Sequence, residues 1–178
     1  MKDNRKEFVF VIGKSEGMDQ KAMLQGFNTL VESQKGINDE STYTLVFFND
    51  TYKASAVCKS IKDMRKYNAL TYAPKNGSAL WDAMGYAITT VGEALSETNE
   101  EERPSLVSVI VIGASDNAST VYDYDMVSEM IKVQKYTYKW DFVFYGDGKT
   151  TFDINKGGLM TNVEKMFADI NSYMTSVR

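Results

Sequence analysis

Three short and almost continuously apolar runs dominate the sequence, at residues 8–12, 106–112 and 140–145. Runs of this length without polar alternation are typical of strands that are buried on both faces of a sheet. Strands of that kind belong to parallel sheets, which need a crossover connection between neighbours. The runs therefore predict an α/β protein.

Segments with helical periodicity separate the apolar runs, which is the pattern that such crossovers require. Residues 42–48 and 51–57 read instead as two strands joined by a tight Asn49-Asp50 turn, so they predict an antiparallel hairpin. We expect a loop with one helical turn at 59–75 and a glycine-rich connection at 146–158. The predicted helices are 19–35, 80–95, 124–136 and 163–177.

The element order is strand, helix, hairpin, helix, strand, helix, strand, helix. This alternation predicts a doubly wound, mostly parallel, Rossmann-like sheet between two helical layers, with one antiparallel edge hairpin. The length of 178 residues suits a single domain spanning 1–178. In such sheets, ligands bind beyond the carboxyl ends of the strands, where strand order reverses.

The chain contains no histidine and a single cysteine, Cys58. Histidine-based nucleophilic triads, histidine general bases and imidazole metal ligands are therefore excluded. Cys58 lies in an alternating stretch, so we expect a packed strand thiol that lacks the base a nucleophile would need. Without a nucleophile–base pair or a cofactor fingerprint, we expect a protein that is not an enzyme and has no cofactor.

Charge and hydropathy limit the kinds of partner. The formal net charge is −4, from 20 basic and 24 acidic residues, and no basic face is evident. A surface that follows nucleic-acid phosphates is therefore not expected. The apolar run at 8–12 is too short for a signal peptide or a membrane span, so we expect a cytoplasmic protein without membrane contact.

Three polar loops can converge at the strand ends, at 13–18, 76–82 and 113–117. The first begins Gly13-Lys14-Ser15, like the end of a phosphate-binding P-loop. A P-loop also needs a glycine five residues before its Gly-Lys pair, and that position is Phe8 inside the strand. The loop is therefore not a P-loop.

The three loops resemble the motifs of a known family. VFVIGKSEGM resembles an apolar strand followed by Asp-x-Ser-x-Ser, NGSALWDAMG resembles a threonine loop that leads into Ala-Leu-x-Asp-Ala, and VIVIGASDNAS resembles a strand that leads into Thr-Asp-Gly. In this order they are similar to the von Willebrand factor A (vWA) domain, in its small single-domain bacterial and phage form. The resemblance covers nearly the whole chain and implies the same α/β fold.

The resemblance also implies a metal-ion-dependent adhesion site at these loops, with two aspartates, two serines and a threonine around Mg²⁺ or Mn²⁺. This chain has Gly13 and Gly113 at the aspartate positions and Gly17 at the second serine. It keeps Ser15, and Ser78 replaces the threonine. Since Mg²⁺ requires anionic oxygen ligands, we interpret the site as degenerate.

The first hypothesis is a metal-independent protein–protein interaction domain, because family members mostly mediate protein contacts. Asp82 matches a position that the family commonly keeps, and we expect it to cap a helix or to brace a loop. If the alignment is correct, restoring Gly13→Asp, Gly17→Ser and Gly113→Asp together should produce metal-dependent stabilisation.

Two alternatives use the same loops. Backbone amides beside Lys14, Ser15 and Ser78 can bind an anion or a nucleotide, since two negative charges have been removed there. A rebuilt metal site would instead combine Ser15 and Ser78 with Glu16 or Asp116. The identity of a protein partner and the oligomeric state are open at this point.

Overall fold

The computed structural model describes residues 2–154 and 156–178. In this part of the chain, six strands form one sheet in the order β3-β2-β1-β4-β5-β6. The strands are β1 (Lys2–Gly13), β2 (Thr42–Phe48), β3 (Tyr52–Ser60), β4 (Pro104–Ile112), β5 (Asp141–Gly146) and β6 (Gly157–Leu159). The helices are α1 (Gln20–Lys35), α2 (Leu80–Glu97), α3 (Tyr124–Thr137) and α4 (Val163–Val177), with short 3₁₀ segments at Ile61–Asp63 and Glu100–Glu102.

Strand β1 lies at the centre of the sheet and pairs in parallel with β2 and β4. Strands β5 and β6 continue the parallel sheet beyond β4, whereas β3 pairs antiparallel with β2 at the opposite edge. The predicted doubly wound sheet with one antiparallel edge hairpin is confirmed. Strand order reverses between β1 and β4, so the loops that follow these two strands lie side by side.

Alternate side chains of β1 enter two separate cores, as the two-residue period of a strand requires. Phe8, Phe10 and Ile12 pack beneath α1 and α4, whereas Val9 and Val11 pack beneath α2 and α3. Both faces of the central strand are therefore buried, which explains why its sequence shows no polar alternation.

Some element bounds differ from the sequence prediction. Strand β6 begins at the end of the predicted glycine-rich connection 146–158. Its first residue, Gly157, has a φ of +120° and comes so close to Phe144 that a side chain would not fit. Strand β3 runs on to Ser60 past irregular pairing, with Cys58 at a φ of +47°. Such local backbone irregularities leave little trace in hydrophobic periodicity.

No helix in the described ranges is long and apolar enough to cross a lipid bilayer.

Candidate functional site

The loop after β1 is held by backbone hydrogen bonds from two neighbours. Lys14 N donates to Phe48 O at the end of β2, at 2.7 Å. Glu16 N donates to Asn76 O at 2.9 Å, and Lys75 N donates back to Lys14 O at 3.0 Å. The first two predicted site loops are therefore joined at the carboxyl end of the sheet.

The loop after β4 is joined to the other two loops through Ser78, which is buried. Ser78 N donates to Asn117 Oδ1 at 2.7 Å, and Ser78 Oγ donates to Ala114 O at 3.0 Å. Asn117 N completes the link by donating to Ser78 O at 2.9 Å. The structure thus brings together the three loops that the sequence predicted, and it uses the Ser78 hydroxyl to hold two of them.

Asp116 caps the start of α2 from outside the helix. Its Oδ1 accepts hydrogen bonds from Trp81 N at 3.2 Å and from the Ser119 hydroxyl, and its Oδ2 accepts from Ser119 N at 3.4 Å. The helix has Ala79 at its N-cap position, with no side-chain cap bond. A carboxylate from the third loop therefore satisfies a helix amide that no N-cap side chain reaches.

Asp82 braces the segment that leads into α3. Its carboxylate is buried and accepts hydrogen bonds from three consecutive backbone amides, those of Thr120, Val121 and Tyr122, at 2.9, 2.9 and 2.7 Å. Three charge-assisted bonds to adjacent amides fix the path of that segment. Loop bracing is the role that the sequence predicted for Asp82, and the carboxylate has little capacity left for a ligand.

Phe48 packs against Gly13 and Gly113 at the carboxyl ends of β1 and β4. Its side chain is fully buried at the end of β2. A Cβ placed on Gly113 would lie 2.7 Å from Phe48 Cζ, and one placed on Gly13 would lie 3.3 Å from the same atom. The two glycines therefore accommodate an aromatic ring between the strand ends. Sequence reasoning treated Phe48 only as a strand residue, and nothing in its local pattern indicates this position.

The remaining residues of the first loop divide between buried and exposed positions. Ser15 is buried, and its Oγ has no hydrogen-bond partner in the described part of the chain. Glu16 and Gly17 are exposed, and Gly17 has a φ of +91°, which a serine would adopt only under strain. Helix α1 is capped by Asp19, whose Oδ1 accepts from Ala22 N at 3.1 Å, so Glu16 is not its cap.

The donor set does not fit a hard divalent cation. Of the proposed rebuilt ligands, Ser15 offers a free hydroxyl and Glu16 an exposed carboxylate. Ser78 and Asp116 are already engaged by the protein. Within residues 2–154 and 156–178, no three acidic or thiol side chains group closely enough to hold a metal ion. Mg²⁺ needs several anionic oxygens in near-octahedral coordination. These residues offer two carboxylates, and that of Asp116 already accepts hydrogen bonds from Trp81 and Ser119.

Three backbone amides of these loops are also engaged. The N–H groups of Lys14, Glu16 and Ser78 donate to Phe48 O, Asn76 O and Asn117 Oδ1, respectively. An anion that binds at these three amides would have to displace their hydrogen bonds.

Asp147, which sequence reasoning missed, completes the loop assembly from the end of β5. Its carboxylate accepts from Ser115 N at 3.0 Å and from Ser115 Oγ at 2.8 Å. Although partial burial opposes ionisation, these bonds and one from Lys149 N hold the pKa of Asp147 below its usual value. Its position just after the predicted strand 140–145 was the only sequence feature that could have indicated this role.

Comparison with known proteins gives structural relatives only: no family model and no curated protein matches the chain. A structure of proximal thread matrix protein 1 from the mussel byssus aligns at a TM-score of 0.58 and 14% identity. In that structure, zinc occupies the metal-ion-dependent adhesion site (MIDAS) motif. That match covers 96% of this chain and 46% of the mussel chain, so this chain spans less than half of its length.

Two bacterial structures match along almost their whole length. The conserved hypothetical protein BatB from Bacteroides thetaiotaomicron aligns at a TM-score of 0.60 and 11% identity, covering 96% of this chain and 98% of BatB. An aerotolerance-related membrane protein from Bacteroides fragilis NCTC 9343 aligns at 0.55 and 10%, with the same two coverages. Identities this low establish the fold alone, and that fold is the vWA-like arrangement of six strands and flanking helices.

Proposed function

We propose that this protein is a non-catalytic, metal-independent protein–protein interaction domain of the vWA type. The observation that carries the proposal is the buried ring of Phe48 against Gly13 and Gly113, at the positions where the resembled motif has its acidic ligands. An aromatic ring stabilises the strand ends by packing, where an ion would do so by coordination.

The rim of the same surface supports a role in binding. Glu16, Gly17, Asn76 and Asn117 are exposed. Hydrogen bonds from Glu16 N to Asn76 O and from the buried Ser78 N to Asn117 Oδ1 hold them in place. A rigid base that carries exposed loops is a common design for recognition, because little conformational entropy is lost when a partner docks. MIDAS-bearing relatives such as the mussel protein agree with an interaction role at the level of the fold only.

Metal independence is tested by thermal unfolding with Mg²⁺, with Mn²⁺ and with EDTA. The expected result is the same melting temperature in all three, because a ligand that does not bind the folded state cannot stabilise it. A saturable rise with Mg²⁺ or Mn²⁺ would contradict the proposal and would favour the rebuilt site of Ser15, Ser78, Glu16 and Asp116. A rise with phosphate or a nucleotide would favour the anion-binding alternative.

The interaction itself is tested with the immobilised protein in lysate of its source cells. We expect a partner recovered in stoichiometric amount, equally in Mg²⁺ and in EDTA, that is lost when Glu16→Lys reverses a charge at the rim. Glu93→Lys is the matched control, since Glu93 is exposed on α2 away from the strand-end loops. A partner that is unaffected by Glu16→Lys, or that is retained only with Mg²⁺, would contradict the assignment.

The restoration experiment suggested by the sequence needs a correction. Gly13→Asp, Gly17→Ser and Gly113→Asp would place a side chain against Phe48 and a serine at a left-handed backbone position. We therefore expect that the triple variant is destabilised and still does not respond to Mn²⁺. Adding Phe48→Ala makes room for the two carboxylates, and a Mn²⁺-dependent stabilisation is expected only in that variant.

A further inference from the structure

Two glycines on the same side of α2 have opposite surroundings. Gly85 and Gly92 are seven residues apart, which is about two helical turns. A Cβ on Gly85 would lie 2.6 Å from the ring of Tyr122, so close packing requires a glycine there. A Cβ on Gly92 would have no atom within 4 Å. Packing does not explain Gly92, although glycine inside a helix costs about 1 kcal/mol relative to alanine.

The open space beside Gly92 is a cavity of about 490 Å³. It lies between the end of α2, the first residues of β4 and the end of α3, with apolar walls formed by Leu95, Leu106 and Trp140. Because β4 runs from here toward the strand-end loops, the cavity lies at the opposite end of the sheet from them. Its volume is in the range of small-molecule sites.

Arg103 supplies a positive charge to the cavity lining. Its Nε donates to Thr98 O at 3.0 Å and its Nη2 donates to Ser96 O at 3.4 Å, so the guanidinium is held at the end of α2. In the described part of the chain, no carboxylate forms an ion pair with Arg103. A guanidinium has five N–H donors, which leaves three for a ligand.

We propose that this cavity binds a small carboxylic acid with an apolar body, either aliphatic or aromatic. The body would pack on Leu95, Leu106 and Trp140, and the carboxylate would accept hydrogen bonds from Arg103. Among the described residues that line the cavity, Arg103 alone is charged, so its side chain calls for a ligand with a single negative charge. Gly92 leaves the room that the ligand occupies. This site is separate from the interaction function proposed above.

Fluorescence of Trp140 can report binding directly. The chain has two tryptophans, Trp81 and Trp140, and only Trp140 lines the cavity. The titrations use the Trp81→Phe variant, in which Trp140 is the remaining tryptophan. Octanoate tests a carboxylic acid with an aliphatic body, and 3-phenylpropionate tests one with an aromatic body. We expect a saturable fluorescence change with at least one of them, and a response at least about tenfold weaker with the alcohols octanol and 3-phenylpropanol.

Three variants locate the site. Gly92→Leu should fill the cavity and weaken binding at least about tenfold, whereas the matched control Gly92→Ala should change it less than about threefold. Arg103→Gln should weaken acid binding at least about tenfold and leave alcohol binding unchanged. Circular dichroism checks that each variant is folded. If Gly92→Leu does not fold, the smaller substitution Gly92→Ser replaces it and is tested together with Arg103→Gln.

Three results would contradict the proposed binding site. No saturable change with either acid up to about 5 mM would overturn the proposal, as would equal affinity for an acid and its alcohol. Binding that survives in a folded Gly92→Leu variant would place the ligand elsewhere. In each of these cases Arg103 would act only as the cap of the α2 carbonyl groups.

Discussion

The ring of Phe48 packs so tightly against the backbone of Gly113 that a Cβ there would lie 2.7 Å from Phe48 Cζ. The two residues belong to strand ends that are separated by the central strand β1, whose last residue, Gly13, pairs with Phe48. One side chain therefore reaches across the end of β1 and fills the space beside both glycines.

The first prediction concerns this contact. Gly113→Ala should lower the free energy of unfolding by about 1–3 kcal/mol, because the added methyl group overpacks a fully buried site. Phe48→Leu should remove most of that penalty, so the two changes should be strongly non-additive in urea unfolding. Gly92→Ala is the matched control and should stabilise the protein by about 0.5–1 kcal/mol. Additive effects of Gly113→Ala and Phe48→Leu would contradict the packing argument.

The second prediction concerns the brace formed by Asp82. Asp82→Ala removes the acceptor of three backbone amides, so we expect it to destabilise the protein by about 3 kcal/mol in chemical denaturation. Glu16→Ala changes an exposed carboxylate of a neighbouring loop and should stay within about 0.5 kcal/mol of the wild type. Equal effects of the two variants would mean that the brace contributes little.

The third prediction concerns Glu7, a fully buried acid on β1. Burial raises its pKa from 4.5 to about 7, although the hydroxyl groups of Thr42 and Thr44 donate to its carboxylate. Glu7 therefore binds its proton more tightly in the folded state than in the unfolded state. The resulting contribution to the free energy of unfolding is complete below pH 4.5 and is lost as the pH rises through about 7.

The measurement is the stability difference between the wild type and Glu7→Gln at several pH values. We expect the wild type to lose about 3 kcal/mol relative to the variant between about pH 4 and pH 8. Carboxylates with lowered pKa values, such as Asp39 and Asp147, are common to both proteins and cancel in the difference. A difference that does not vary with pH would show that Glu7 is not ionised on this scale.

The fourth prediction concerns Cys58, the only cysteine in the chain. Burial, with the neighbouring Glu7 carboxylate as a second cause, raises the pKa of its thiol to about 12. The thiolate is the reactive form, so a disulfide reagent near pH 8 should modify the folded protein very slowly. The same reagent in urea should modify one thiol per chain at the rate of a free cysteine. Rapid labelling without denaturant would contradict the prediction.

Local pattern was enough to predict most of the architecture. The unbroken apolar run of β1 indicated burial on both faces, and helical spacing located α4 at its observed bounds. The hypothesis that the strand-end loops lack acidic ligands also came from the sequence and stays a prediction, since it rests on the identity of residues 13 and 113 alone. The short strand β6 escaped prediction, because three residues are too few to show a period.

Contacts between residues distant in sequence decided the rest. Only the folded chain brings Phe48 against Gly113, moves Asp116 to the start of α2 and leaves Gly92 beside an open cavity. These relationships join segments that are tens of residues apart, and their geometry depends on how the sheet and helices pack. The sequence by itself determined that glycine stands at positions 13 and 113. The tertiary structure decided that the ring of Phe48 fills the space beside them, because side-chain packing is a property of the whole fold.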